Sequence, residues 1–322
     1  MSLPPLEELR VSVVLPARDE AHRIGETIAA LFDQAPEGVE LEVIVADDGS
    51  TDDTVAVGAG AGARVLMLPP GQTGGSPGAA RNRGAAAATG DPIVFLDADC
   101  APGPGWLEAL LAAHIAGETV VGGSLDIPEG LPATARCDHY CGSYFVHPRR
   151  PAGPVPNHTP ANLSVRRAAF LSTSGFAEQP PVADGHEELR WQAQLRRQGI
   201  RIWFEPDAAV LHHNRPGLAN LLRRNYRWGY SALEGKAESG ASRWSALFRH
   251  PRLLVLASLP LAAAHTLHTL GCWLLCRRFE PLLMLPWIFA ARLAYAVGLA
   301  AGGADWLRRQ ATGAPATVPR WR

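Results

Sequence analysis

The sequence predicts an α/β fold with a mainly parallel sheet and flanking helices, followed by C-terminal hydrophobic α-helices. Three observations lead there. Short apolar, β-rich runs alternate with segments of helical period over the first hundred residues. Several of those runs end in polar or acidic residues, at the strand ends where such sheets bind ligands. Two long apolar stretches, 253–276 and 281–302, then close the chain.

In chain order, Val11–Leu15 reads as a buried strand ended by Pro16, and Ile24, Ile28, Leu31 and Phe32 recur at helical spacing over 23–32. Leu41–Ala46 is a second strand closed by Asp47-Asp48-Gly49-Ser50, and 51–61 reads as a helix that Ser50 or Asp52 caps. Arg64–Leu68 is a third strand, followed by a Pro/Gly-rich loop over 69–78 and an alanine-rich helix over 79–88. Pro92–Leu96 is a fourth strand and delivers Asp97-Ala98-Asp99. Strand–helix alternation implies right-handed crossovers. Beyond Cys100 a helix over 187–198, a strand over 200–204 and a strand-like Ala208–Leu211 stand out.

Composition removes several classes. The chain has 322 residues, 47% hydrophobic and 19% charged, with a net charge of -1. Its basic residues crowd 190–252 without exposed aromatics interleaved in a compact module, so nucleic acid is not an expected partner. Lys236 is the only lysine, which leaves guanidinium as the main cation and suits phosphate. No glycine fingerprint follows the first strand, against a dinucleotide enzyme. Five cysteines without framework spacing argue for a reducing compartment, and Cys137-Asp-His139-Tyr-Cys141 lacks the second ligand pair that zinc requires. The polar start, 1–10, does not read as a signal peptide, so a cytoplasmic catalytic part is expected.

The candidate chemistry sits at the strand ends. Asp97 and Asp99 are hard oxygen donors suited to Mg²⁺ or Mn²⁺, with diphosphate oxygens filling further positions. Asp47 and Asp48 can accept from a base N–H or a ribose hydroxyl. Arg81 and Arg83 offer guanidinium to phosphate. Each group also has an ordinary structural reading: a polar turn, a helix cap or a solvated helix face.

Together, Val11-Ser-Val-Val-Leu-Pro-Ala-Arg-Asp-Glu20, Ala46-Asp-Asp-Gly-Ser-Thr-Asp52, Gly78-Ala-Ala-Arg-Asn-Arg-Gly84 and Phe95-Leu-Asp-Ala-Asp99 resemble family 2 glycosyltransferases of the GT-A fold, a Rossmann-like architecture. The resemblance covers roughly 10–235. It implies that Pro16, Ala17, Glu20, Asp48, Arg81 and Asp97 line a nucleotide-sugar site, with Arg18 and Asp47 at the same strand ends, and that Asp99 binds the metal beside Asp97. Glu187-Glu188 stands where the family usually has Glu-Asp, whose Asp acts as general base; Glu188 occupies that position, one methylene longer, with Glu187 beside it. His212 lies where relatives often carry a histidine that completes a metal or phosphate site, the alternative being a structural imidazole. Arg224-Asn-Tyr-Arg227-Trp228 resembles the (Gln/Arg)-x-x-Arg-Trp element of membrane-bound relatives, so Arg227 is expected on the donor diphosphate and Trp228 on a sugar. The implied division is a nucleotide-sugar-binding half (1–100), an acceptor-binding and catalytic half (101–235), a membrane-associated helical segment (236–310) and a disordered tail (311–322).

The apolar stretches 253–276 and 281–302 are expected to form a transmembrane hairpin turning at Arg277–Glu280, with arginines outside the turn on the cytoplasmic side. Pro260, Pro286 and Arg292 equally suit an in-plane or re-entrant arrangement, and buried core helices are the plain alternative. The expected activity is inverting, metal-dependent transfer of a sugar from a UDP- or GDP-sugar to a lipid or lipid-linked glycan, at the cytoplasmic face of the cell inner membrane. Two rivals differ in class. A sugar-phosphate nucleotidyltransferase needs a Gly-rich triphosphate loop that 16–23 does not supply, and a non-catalytic nucleotide-sugar sensor has no use for a base at Glu188.

Overall fold

A computed structural model of the chain describes residues 9–68, 76–179, 185–239 and 250–314. The elements run β1 (Arg10–Ala17), α1 (Ile24–Asp33), β2 (Glu40–Asp47), α2 (Thr54–Gly60), β3 (Arg64–Met67), α3 (Pro77–Ala87), β4 (Ile93–Leu96), β5 (Cys100–Pro102), α4 (Trp106–Ile115), β6 (Val120–Asp126), α5 (Ala133–Gly142), β7 (Gly153–Val155), β8 (Asn162–Val165), α6 (Arg167–Leu171), α7 (Glu187–Arg197), β9 (Ile202–His212), α8 (Leu218–Ser239), α9 (Pro251–Leu256), α10 (Ser258–Leu275), α11 (Glu280–Leu283) and α12 (Leu285–Thr312). Two compact units result. The first comprises Met1–Asp126, Val146–Glu178 and Gln194–His213; the second comprises Ile127–Phe145, Gln179–Ala193 and Asn214–Arg322.

The first unit is built on one nine-stranded sheet in the order β3-β2-β1-β4-β8-β6-β9-β5, with β7 also on β9. Strands β3, β2, β1 and β4 are parallel to one another, and β6 and β9 point the same way because β8 is antiparallel to both β4 and β6. Val13–Leu15, Ile44–Ala46 and Ile93–Leu96 are completely buried, as strands covered on both faces must be. Ser76 caps α3 by accepting from the Ala79 amide (3.3 Å), and Pro77 occupies the first turn, so the helix starts inside the stretch expected as loop. Helix α2 starts at Thr54 rather than Thr51, because Thr51 and Asp52 are bonded to the neighbouring loop. The two short strands expected around Pro206 are one strand, β9, which absorbs the proline through a register shift opposite Gly123/Ser124.

The core of this unit also holds hydrogen-bonded polar groups. Asn162 donates to the carbonyls of Ser124 (3.0 Å) and Ala208 (2.8 Å) and accepts from the Trp106 indole (2.9 Å). That ties β8 to β6, β9 and α4. His114 bridges the Glu118 carbonyl (2.8 Å) and the Ser164 hydroxyl (2.7 Å), and His158 stacks on Phe204. Burial pushes both imidazoles down to about 4.

The second unit is helical. Its α8 and α12 approach so closely that a Cβ on Gly298 would lie 2.1 Å from the Tyr226 carbonyl oxygen, and one on Gly229 2.0 Å from that of Tyr295. Only glycine permits such backbone contact. Arg292, in the middle of α12, is 2% exposed and donates to the Thr269 hydroxyl (2.7 Å) and the Cys141 carbonyl. The two apolar stretches form several helices. The stretch 253–276 is divided into α9 and α10 at Ala257, where Pro260 has no N–H to continue the ladder. Among the described residues one helix, Leu285–Thr312, is long and apolar enough to cross a membrane, and 44% of its apolar window is buried, a property that core helices share. Arg243, Arg249 and the tail beyond Ala314 lie outside the described residues.

Unfolded imidazoles titrate near 6.5 and the native His114 and His158 near 4, so between those values the unfolded chain binds more protons. Stability should therefore fall as pH drops through that window, by at most roughly 3 kcal/mol per histidine. Denaturant midpoints measured across it should decline for the native chain and decline less steeply for H114Q.

Candidate active site

Strands β1 and β2 are in register to Ala17↔Asp47, so the residues that follow emerge side by side. The Asp48 amide donates to the Ala17 carbonyl (2.9 Å), and the Arg18 guanidinium stands 3.8 Å from the Asp48 carboxylate. Asp19 takes a left-handed backbone (φ 54°), from which its carboxylate accepts from the Thr51 amide (2.7 Å) and its own amide donates to the Ser50 hydroxyl (3.0 Å). The Glu20 amide donates to Thr54 (2.8 Å) and the Ala21 amide to Asp52 (3.1 Å). Hydrogen bonds from Thr54, its hydroxyl first, hold the Asp52 carboxyl below its ordinary range. The two loops are thus laced together. Asp47, expected on the nucleotide, is 2% exposed and accepts from the Gly49 and Ser50 amides and the Ser50 hydroxyl, so its carboxylate shapes the loop that presents Asp48.

Arg81 on α3 is 4% exposed and donates to the Asp97 carboxylate (2.6 Å) at the end of β4, with its guanidinium 5.7 Å from the Phe176 ring centre. Its neighbour Asn82 donates to the Phe176 carbonyl (3.0 Å) and Glu178 (2.8 Å) and accepts from the Phe176 amide (2.9 Å). One turn of α3 thereby holds both the acidic strand end and the 175–178 segment.

Two residues further, the Ala98 carbonyl accepts from Thr27 (2.8 Å) and the Asp99 carbonyl from the His213 amide (2.9 Å). Cys100 pairs with His212 across β5 and β9, which brings His212 Nε2 to 3.2 Å from the Asp99 carboxylate. One ligand atom from each of Asp99, Cys100 and His212 lies within 4.8 Å of the others. A carboxylate with an imidazole fits Mn²⁺ well and Mg²⁺, which favours oxygen alone, less well. Asp97, expected to share the ion, is absent from this cluster: its Oδ1 takes the Arg81 guanidinium instead.

In the second unit Glu187 and Glu188 occupy the first turn of α7, both buried, where the helix N-terminus favours carboxylates. The preceding His186 places Nδ1 2.8 Å from the Ser231 hydroxyl, which itself donates to the Arg227 carbonyl (3.1 Å), so Nδ1 carries the proton. Burial holds that imidazole well below 6.5 and therefore neutral. Gly185 (φ 138°) lies so close to Trp228 that a Cβ would meet the indole at 2.3 Å. Trp228, expected on a sugar, packs against Gly185 and Gly142 beneath the Arg224 guanidinium (4.6 Å). Arg227 is half-buried on the same helix, and Arg224 pairs with Asp138 (2.7 Å). The Arg-x-x-Arg-Trp segment therefore seats the residues that carry Glu187 and Glu188.

Residues 12–172, half of the chain, match the model of glycosyl transferase family 2. The chain belongs to that family. It is 30% identical to a pre-mycofactocin glycosyltransferase of Mycobacterium tuberculosis over 93% of this chain and 72% of the relative. It is 28% identical to glycosyltransferase AglE of Haloferax volcanii over 70% of this chain and 73% of the relative. Among solved structures, the mannosyltransferase PcManGT from Pyrobaculum calidifontis, in complex with GDP-Man and Mn²⁺, superposes with a TM-score of 0.59 over 94% of this chain and 89% of its own, at 19% identity. That likeness is one of fold, and the fold of this family 2 glycosyltransferase is GT-A.

In this family 2 enzyme the residues expected to line one nucleotide-sugar and metal site fall into pairs in the first unit, Arg18 with Asp48, Arg81 with Asp97 and Asp99 with His212. Pro16 and Ala17 lie at the last positions of β1, and Glu20 is buried just beyond. Asp19, Asn82, His186 and Ser231, which act through other residues, were not expected at the site, although Asp19 and Asn82 lie inside the family motifs. Removing one partner of a buried ion pair strands the other, so D97A should cost about 3 kcal/mol in unfolding free energy. R81M/D97A should recover most of that loss in a denaturation double-mutant cycle.

Proposed function

We propose that this family 2 glycosyltransferase moves a sugar, with inversion, from a UDP- or GDP-sugar to a hydroxyl of a lipid or lipid-linked glycan presented at the cytoplasmic membrane face. The observation that carries the donor half is the Asp99–His212 contact at 3.2 Å beside the Arg81–Asp97 pair, at the ends of strands that deliver ligands in such sheets. Asp99 and His212 would hold a divalent cation, Mn²⁺ in preference to Mg²⁺; when bound, it supplies positive charge against the leaving diphosphate. Pro16, Ala17, Glu20 and Asp48 would line the nucleotide, with Arg18 at the edge, while Asp97 orients Arg81. Glu188 would accept the proton of the attacking hydroxyl, with Glu187 beside it and Arg227 on the diphosphate. Residues 1–100 would then bind donor, 101–235 acceptor, and 236–310 the membrane.

The exposed leucines of the C-terminal helices support the lipid acceptor. The pre-mycofactocin glycosyltransferase, similar over 93% of this chain, supports a second acceptor reading: a molecule of the kind its name states, pre-mycofactocin.

Nucleotide release from a panel of UDP- and GDP-sugars, with lipid acceptors and pre-mycofactocin in turn, tests both. With the preferred donor, D99A and H212A should abolish Mn²⁺-stimulated release. E188Q should lower kcat on the order of 10²–10⁴-fold while leaving nucleotide affinity unchanged, the signature of a lost base. Full activity in D99A would refute the metal assignment, and full activity in E188Q the base.

A further inference from the structure

The turn that joins α10 to α11 has its polarity reversed. Its large apolar side chains face outward: Leu275 is 87% exposed, Leu283 81% and Phe279 64%, with Leu274 and Leu282 exposed beside them. Its one carboxylate faces inward, where Glu280 pairs with Arg136 and accepts from the Tyr140 hydroxyl (2.5 Å) on α5. The Trp273 indole, completely buried, donates to the Tyr140 carbonyl (2.8 Å) and pins the same turn. A water-facing turn of a soluble domain is built the other way round.

Its cations are also placed unusually. Helix α10 ends with the Arg278 amide donating to the Trp273 carbonyl and the Arg277 amide to that of Leu274, both at 2.9 Å. This closing motif needs one left-handed residue, ordinarily glycine; here it is Arg277, with φ 55°. An exposed arginine is thus held at the rim of the apolar patch in a conformation that disfavours a side chain.

We propose that this turn is the membrane-docking surface of the protein. Leu275, Phe279 and Leu283 enter the interfacial region of an anionic bilayer, Arg277 and Arg278 meet lipid phosphates, and α12 remains on the membrane surface instead of crossing it. Apolar side chains flanked by arginine, with the carboxylate withdrawn, complement an anionic lipid surface. A second copy of the chain fits less well, because a two-fold contact centred on this turn would bring Arg277 and Arg278 against their own counterparts. A crossing α12 fits less well too. It buries Arg292 against Thr269 and Cys141, and Gly298 and Gly302 are covered by the α8 backbone, so it cannot be surrounded by lipid. The inference sharpens the membrane part of the proposed function and needs neither its donor nor its base.

Flotation of the full chain with vesicles tests it, using phosphatidylcholine alone and phosphatidylcholine mixed with phosphatidylglycerol. The native chain should float with the anionic vesicles, and L275S/F279S/L283S should lose at least roughly tenfold in bound fraction. R277S/R278S should lose binding on anionic vesicles and the sensitivity of that binding to salt. Circular dichroism should be unchanged in both variants. Resistance of the bound chain to carbonate extraction would overturn the surface-bound arrangement, and unaltered flotation of either variant would overturn the docking turn. A dimer that the triple variant converts to monomer, with flotation unchanged, would assign the patch to a second copy. Nucleotide release without vesicles, on the same preparations, reports the donor reading separately.

Discussion

A guanidinium held at 4% exposure, as Arg81 is, needs a carboxylate within hydrogen-bond reach, because the water that would otherwise solvate it has been removed. Asp97 meets that need from the end of β4, and much of the first unit follows from the pairing. It fixes α3 over the sheet, orients the turn that carries Asp99, and leaves Asp99 to a different partner, His212. The neighbouring carboxylates are sorted the same way. Asp47 is enclosed by its own loop and Asp52 by Thr54, while Asp48 stays beside an exposed arginine. Acidic residues at adjacent strand ends would otherwise repel one another, and these separate partnerships let them share one region.

The loops at the ends of β1 and β2 show how short polar side chains make a rigid rim. Asp19, Ser50, Thr51, Asp52 and Thr54 exchange amide and hydroxyl bonds across the gap, and Asp19 accepts an unfavourable backbone to do so. Such crossing bonds set the positions of Arg18, Glu20 and Asp48. Preorganisation of this kind favours a charged, phosphate-bearing molecule, since the dipoles are already aimed before it arrives.

The second unit adds glycine contacts to its ion pairs. Trp228 fits between Gly142 and Gly185, and α8 meets α12 through Gly229, Gly298 and Gly302. Close backbone approach joins helices that carry arginine (Arg224, Arg227, Arg292) to a surface rich in leucine. The carboxylate of that surface, Glu280, is paired inside the unit with Arg136 and Tyr140.

The alternation of strands and helices, the helix over Glu187–Arg197 and the acidic strand ends were all legible in the sequence, because period and β-propensity act over a few residues. So were the ordered motifs that mark the family, and the character, though not the arrangement, of the C-terminal helices. What the sequence could not reveal was which carboxylate meets which cation. Asp97 and Asp99 are chemically equivalent in the string, and their separation into an Arg81 partner and a His212 partner depends on α3 and β9 arriving from 16 and 113 residues away. The same holds for Pro206 inside a continuous β9, for Trp228 seated on Gly185, and for an apolar run divided at Ala257. Each is decided by what packs alongside, and packing partners distant in sequence leave no local trace.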